Sequence, residues 1–191
     1  MGEVKQVILC GFGGQGIVLA GTLLGYAAFN DGKWVSGTNS YGAAARGGEC
    51  ESEVVISDKP ITFPHVIEAD FLIAMYQAAY DKYISKVKHD GGMAIHDKQL
   101  VSPKEGSALK HIGIPATETA AKRLNFNVVA NIVILGAAIE ISKVVTKDAF
   151  MSAIEENMPE RFRELNLKAA NIGFNLGQGR SEYGGDLLIR S

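Results

Sequence analysis

The segment Gly11-Phe12-Gly13-Gly14-Gln15-Gly16 follows the apolar run Val7-Ile8-Leu9-Cys10 and precedes a stretch carrying Ile17, Val18, Leu19, Leu23 and Leu24. A G-x-G-x-x-G between a strand and a helix has a defined chemistry. Its glycines allow a tight turn and let backbone N–H groups approach an anion, and the helix N-terminus adds partial positive charge. The expected ligand is a phosphate or pyrophosphate. The alternative is a strand-to-helix turn whose glycines serve close packing alone, and the motif by itself does not separate the two.

A second chemical segment is Ser40-Tyr41-Gly42-Ala43-Ala44-Ala45-Arg46-Gly47-Gly48. An arginine flanked by glycines offers a planar cation suited to phosphate or carboxylate, unless it pairs with Glu49 or Glu51 on the surface. His96-Asp97 is not an acid–base dyad, because adjacent residues on an extended chain point to opposite faces. A dinucleotide site would need an acid at the end of the second strand. Here Trp34-Val35 leads into Ser36-Gly37-Thr38, and NAD is disfavoured. No P-loop and no nucleophile elbow occurs. The two cysteines, Cys10 and Cys50, cannot hold an iron–sulfur cluster alone or close a four-thiolate zinc site, and the four histidines lack metal-ligand spacing.

The elements that must position these residues alternate between strand and helix. Strands are expected at Val7–Cys10, Trp34–Val35, Glu49–Ile56, Phe71–Met75, Met93–Ile95 and Lys110–Ile114. Residues 36–48 read as a functional loop. Glu49–Ile56 alternates, with Cys50, Ser52 and Val54 on one face and Glu49, Glu51 and Glu53 on the other. That pattern predicts a half-exposed strand, antiparallel or near an edge. Helices are expected at about 15–29, through Val87, from an N-cap at Thr117 to Leu124, and at 128–141, 147–156 and 161–176. The stretches at 15–29 and 128–141 are apolar nearly all round. Their second faces are expected to be buried against a partner, rather than within the domain's own layers.

The pattern predicts an α/β fold: a three-layer sandwich with a Rossmann-like, mixed and mostly parallel sheet and helices on both faces. A chain of 191 residues suits one domain, taken as residues 1–177 with a tail at 178–191. Nineteen basic against 21 acidic residues argue against a nucleic-acid or anionic-membrane surface. Between Lys5 and Asp31 no residue is charged, but six glycines and Gln15 break the stretch, so no membrane insertion is expected. A reducing, cytoplasmic location is expected.

Taken in order, five blocks resemble the gamma subunit of 2-oxoacid:ferredoxin (acceptor) oxidoreductases. They are Gly11 to Gly21, Thr38-Asn39-Ser40-Tyr41-Gly42 through Arg46-Gly47-Gly48, and Ser52-Glu53-Val54 with Ile56-Ser57-Asp58. Ala69-Asp70 and the block from Ile114-Pro115-Ala116-Thr117 to Gly136 complete the match. Ala43-Ala44 stand where the family often has proline or an acid.

The resemblance implies a subunit, inactive alone, of a complex that converts a 2-oxoacid and coenzyme A (CoA) to an acyl-CoA, CO2 and reduced ferredoxin or a similar acceptor. It implies alpha, beta and, in some complexes, delta partner subunits. Those partners would carry thiamine diphosphate, Mg2+ and iron–sulfur clusters, with no cofactor bound by this chain alone. CoA binding would fall to Gly11, Gly13, Gly14, Gln15 and Gly16, with Ser40, Tyr41, Arg46 and Asn131 beside them. The loop variant is most similar to 2-oxoglutarate-oxidising complexes that produce succinyl-CoA; pyruvate, branched-chain 2-oxoacids and indolepyruvate are the other options. Self-association is expected when the chain is made without partners. The competing reading is a stand-alone CoA- or nucleotide-binding carrier or sensor.

Overall fold

A computed structural model of the chain describes residues 4–41, 48–104 and 108–179. Six strands form one sheet: β1 (Val4–Phe12), β2 (Trp34–Tyr41), β3 (Glu49–Ser57), β4 (Phe71–Ala74), β5 (Met93–Asp97) and β6 (Lys110–Ile114), in the order β2-β3-β1-β4-β5-β6. β1, β4, β5 and β6 run parallel, whereas β3 is antiparallel to both β1 and β2. The mixed, mostly parallel α/β sheet expected from the sequence is therefore present.

Helices cover both faces. On one side lie α1 (Ile17–Asn30), α4 (Ala130–Ser142), α5 (Lys147–Asn157) and α6 (Glu160–Gly177), which share a core with Val7, Leu9, Val54, Ile73 and Ile95. On the other, α2 (Gln77–Tyr83) packs Ala79, Tyr80 and Tyr83 with Ile8, Cys10 and Leu72. Successive side chains of a strand alternate between faces, which explains why β1 and β4 read as unbroken apolar runs: both faces are buried. Cys10 and Cys50 sit in these two separate cores.

Three expectations need correction. Ser36–Tyr41, read as loop, continues β2. Its Gly, Ser and Asn content disfavours a strand, but pairing with β3 from Ser36↔Val55 to Tyr41↔Cys50 overrides propensity. Thr117 does not cap a helix. Pro115 precedes α3 (Ala116–Thr119), the Thr117 N–H donates to Asp97 Oδ2 at 2.7 Å, and residues Ala120–Leu124 continue as a π-helix. The apolar helix α4 needs no partner chain. Its ten residues Ala130–Ile139 are all buried, and α6 covers the side turned from the sheet. Close approach explains this: a Cβ on Gly136 would stand 2.7 Å from the Ala170 carbonyl oxygen.

The acidic face of β3 is also less open than its alternation suggests. α2 and the turn after it lay Lys82, Tyr83 and Lys86 over it. Lys82 pairs with Glu49 at 3.0 Å and Lys86 with Glu53 at 3.3 Å. Glu53 is buried and accepts from the Val66 N–H and the Thr38 hydroxyl, so its charge is compensated. Burial, followed by the hydrogen bond to Glu51, pushes the Tyr83 phenol up to about 12. No described helix is long and apolar enough to cross a membrane.

Candidate functional site at the carboxyl end of the sheet

β1 leads into α1 on one face, while its neighbour β4 leads into α2 on the opposite face. The chain thus diverges above the carboxyl ends of β1 and β4, where open α/β sheets form their ligand crevice. The glycine loop occupies that point. Its turn is set by the Gln15 N–H donating to the Phe12 carbonyl at 3.0 Å, and it is tied to the residue just before β3 by the Gly13 N–H donating to the Gly48 carbonyl at 3.0 Å.

The glycines have separate tasks. Gly13 and Gly14 are exposed on the crevice. Gly14 has φ +105° with nothing within 4 Å of a Cβ position, so conformation alone demands glycine there. Gly16 has φ +75°, and a Cβ would strike the Asn131 amide. Gly11 is buried in β1, where a Cβ would stand 2.7 Å from Gln15 Oε1 and from Ile17 Cδ1. Gly11 therefore has a packing reason within the chain.

Gln15 and Asn131 are spent on the loop itself. Gln15 Oε1 accepts from the Phe12 N–H at 2.7 Å, and its Nε2 donates to the Met75 carbonyl at 2.8 Å, bracing the loop against the end of β4. Asn131 is 2% exposed and donates to the Gly16 carbonyl at 2.9 Å. Both side chains thus hold the loop in shape. α1 starts with no side-chain cap and no acid in its first turn, so its positive end is left for an anion. The Val18 N–H there meets the Cys50 thiol, whose pKa is raised by burial first and by Glu51 second.

Ser40 and Tyr41 end β2 at the same pole. Gly11, Cys50 and Tyr41 are level across β1, β3 and β2, so Tyr41 lies two strand spacings, about 10 Å, from the loop. Ser40 is exposed, and Arg46 lies outside the described residues. The insertion of β3 also separates β2 from β1, so an acid at the end of β2 would be displaced from the ribose position of a dinucleotide site.

One feature of the crevice was missed in the sequence. Phe12 and Tyr76, both partly exposed, pair at its mouth with ring centroids 5.4 Å apart and planes at 58°. Tyr76 directly follows a buried strand, and that position at a point of chain divergence was the available signal. His96 and Asp97 do diverge as expected. Asp97 accepts from the Gln99 and Thr117 N–H groups. His96 faces His111, ring centroids 6.3 Å apart, and its buried Nδ1 has no hydrogen-bond partner among the described residues. Burial first, then His111, pushes its pKa down to about 4.

Residues 6–176 match the family model for pyruvate ferredoxin/flavodoxin oxidoreductase. The chain belongs to this family. It is 43% identical over 177 residues to 2-oxoglutarate synthase subunit KorC of Methanocaldococcus jannaschii, covering 91% of this chain and 94% of that one. The crystal structure of a keto/oxoacid ferredoxin oxidoreductase gamma subunit from Geobacter sulfurreducens superposes with a TM-score of 0.81 at 36% identity, covering 92% and 97% of the two chains. The fold also recurs in 2-oxoglutarate:ferredoxin oxidoreductase from Magnetococcus marinus, with 2-oxoglutarate, coenzyme A and succinyl-CoA bound. There the TM-score is 0.83 at 22% identity, over 94% of this chain but 32% of the longer one.

Proposed function

We propose that this chain is the gamma subunit of a 2-oxoglutarate:ferredoxin (acceptor) oxidoreductase, which turns 2-oxoglutarate and CoA into succinyl-CoA, CO2 and reduced acceptor. The observation that carries this reading is the 43% identity to a KorC subunit along nearly the whole of both chains. The substrate follows that relative's name. Pyruvate and branched-chain 2-oxoacids are the other choices within the family.

The role of this chain is to present CoA. The exposed backbone of Gly13 and Gly14, with the uncapped start of α1, suits the pyrophosphate, and Gln15 and Asn131 hold that backbone in shape. From the neighbouring pole Ser40 is exposed, and Tyr41 and Arg46 are the further candidates that the family resemblance offers. Among the described residues no cluster of three or more His, Cys, Asp or Glu could hold a metal ion. Thiamine diphosphate, Mg2+ and iron–sulfur clusters are assigned to the partner subunits, where decarboxylation and electron transfer would occur.

The test is anaerobic affinity purification of the tagged chain from its own host, with mass spectrometry and CoA-dependent viologen reduction on several 2-oxoacids. Thiamine-dependent subunits and activity on 2-oxoglutarate are expected. A lone chain that binds CoA but oxidises nothing would overturn the subunit reading in favour of a carrier.

A further inference from the structure

Two histidines and a tyrosine meet under α2 at the β6 edge of the sheet. Tyr80 of α2 is fully buried and places its hydroxyl 2.9 Å from His111 Nε2. On the other side of that ring, His111 Nδ1 lies 2.8 Å from the Leu109 carbonyl. A carbonyl only accepts, so Nδ1 carries the proton and donates. In the neutral ring Nε2 is then the acceptor, and the Tyr80 O–H donates to it. The link fastens β6 to α2.

His96 stands beside this link. It lies on β5 at the level of Gly113 on β6, with its ring centroid 6.3 Å from that of His111. The ring rests on the β6 backbone, since a Cβ on Gly113 would come 3.2 Å from His96 Nε2. Only 5% of His96 is exposed, and its Nδ1 finds no acceptor among the described residues. Protonation would put hydrogen on both ring nitrogens and leave a buried N–H of a cation unmet. The surrounding charges do not offset that cost. His111 on β6 and Lys98 oppose a cation there, and Asp97 favours one. α2 presents Tyr80, with Asp81 and its partner Lys104 beyond it, and β4 presents the uncharged Ala74 at this level. Burial first, then His111, accordingly holds His96 down to about 4.

We propose that His96 is an acid-driven release for the sheet edge: on taking up a proton its ring leaves its place on β6, the Tyr80–His111 link breaks, and β6 opens ahead of the rest of the sheet. β6 is suited to this because it is an edge strand paired with β5 alone. The segment around Ser102 stays behind on α2. There Gln77 accepts from the Ser102 N–H at 2.8 Å and donates to its carbonyl at 3.3 Å, and neither group titrates. The direction follows from linkage. A ring released to water binds its proton near pH 6.5, so acid favours the open form as pH falls below that value, and the effect is complete below about pH 4.

The test is hydrogen exchange read by mass spectrometry on the full-length chain, with whatever subunits accompany it from its host. Exchange is measured at pH 7 and pH 5 in low urea and corrected for the intrinsic change in rate. Amides of β6 are expected to exchange through an opening that responds weakly to urea, and its population should rise about 20-fold from pH 7 to pH 5. His96→Leu should abolish that rise. Tyr80→Phe removes the link but keeps the titrating ring, and should raise β6 exchange already at pH 7. If β6 at pH 5 follows urea as steeply as β1 and β3, it opens only when the whole chain unfolds, and the proposal is overturned. A rise that survives in His96→Leu would overturn it too. Should His96→Leu fail to fold, Tyr80→Phe decides: β6 exchange unchanged from wild type would show that the link holds nothing and would end the proposal.

Discussion

Asn131 on the first turn of α4 donates its side-chain amide to the carbonyl of Gly16, 115 residues earlier, at 2.9 Å. The same side chain accepts from the Ile132 N–H at 2.9 Å, so both ends of the amide are engaged. The link fastens the glycine loop to a helix that is buried throughout most of its length. The loop shape is therefore set from outside the motif.

Replacing this amide separates positioning from ligand contact. Asn131→Ala is expected to lower stability by about 1–2 kcal/mol, the usual loss when a buried carbonyl loses its partner. In the assembled enzyme it should raise the apparent CoA KM with a smaller effect on kcat. Denaturant titration of the isolated chain and steady-state kinetics of the complex check the two halves. Unchanged KM would show that the loop keeps its shape without the amide.

The two left-handed glycines should not respond alike to alanine. Gly14→Ala meets no neighbour, so only the backbone conformation resists it, at about 1–2 kcal/mol. Gly16→Ala adds a collision with the Asn131 amide to the same conformational strain and should be clearly the more damaging. Urea midpoints of the two variants measure the order.

The crossing of α4 and α6 offers a test in which packing opposes propensity. A Cβ on Gly173 would run into the Val133 carbonyl and stand 3.0 Å from the Gly136 Cα. Gly173→Ala gains about 1 kcal/mol of helix propensity but forces two backbones apart. A net loss of roughly 1–3 kcal/mol is expected, read as a lower Tm.

His96 makes stability depend on pH. Its folded pKa is about 4 against 6.5 for the free side chain, so between these values the unfolded chain binds the extra proton. This contribution is complete above about pH 6.5, declines as the solution is acidified and is gone below about pH 4, a change of up to roughly 3 kcal/mol. Urea midpoints from pH 4 to 7 should rise more steeply for wild type than for His96→Leu. Equal slopes would remove His96 as the source.

The sequence by itself determined the strand–helix alternation, the family and the glycine loop, because these depend on local periodicity and on spacing along the chain. Short apolar runs at β1 and β4, alternating with longer helical patterns, read as strands covered on both faces, and Gly13-Gly14 between a strand and a helix reads as a turn. Tertiary structure decided what local propensity could not. Ser36–Tyr41 became a strand because β3 supplied hydrogen-bonding partners along its whole length, and β3 lies between β1 and β2 although it follows both in the chain. Gln15 and Asn131 carry the same side-chain chemistry as ligand-binding amides. Only the folded chain brings the Met75 and Gly16 carbonyls within their reach, and that proximity makes them braces for the loop. The α4 helix shows the same limit: its apolar surface called for cover, and only the fold of α6 back onto Gly136 determined that the cover comes from this chain.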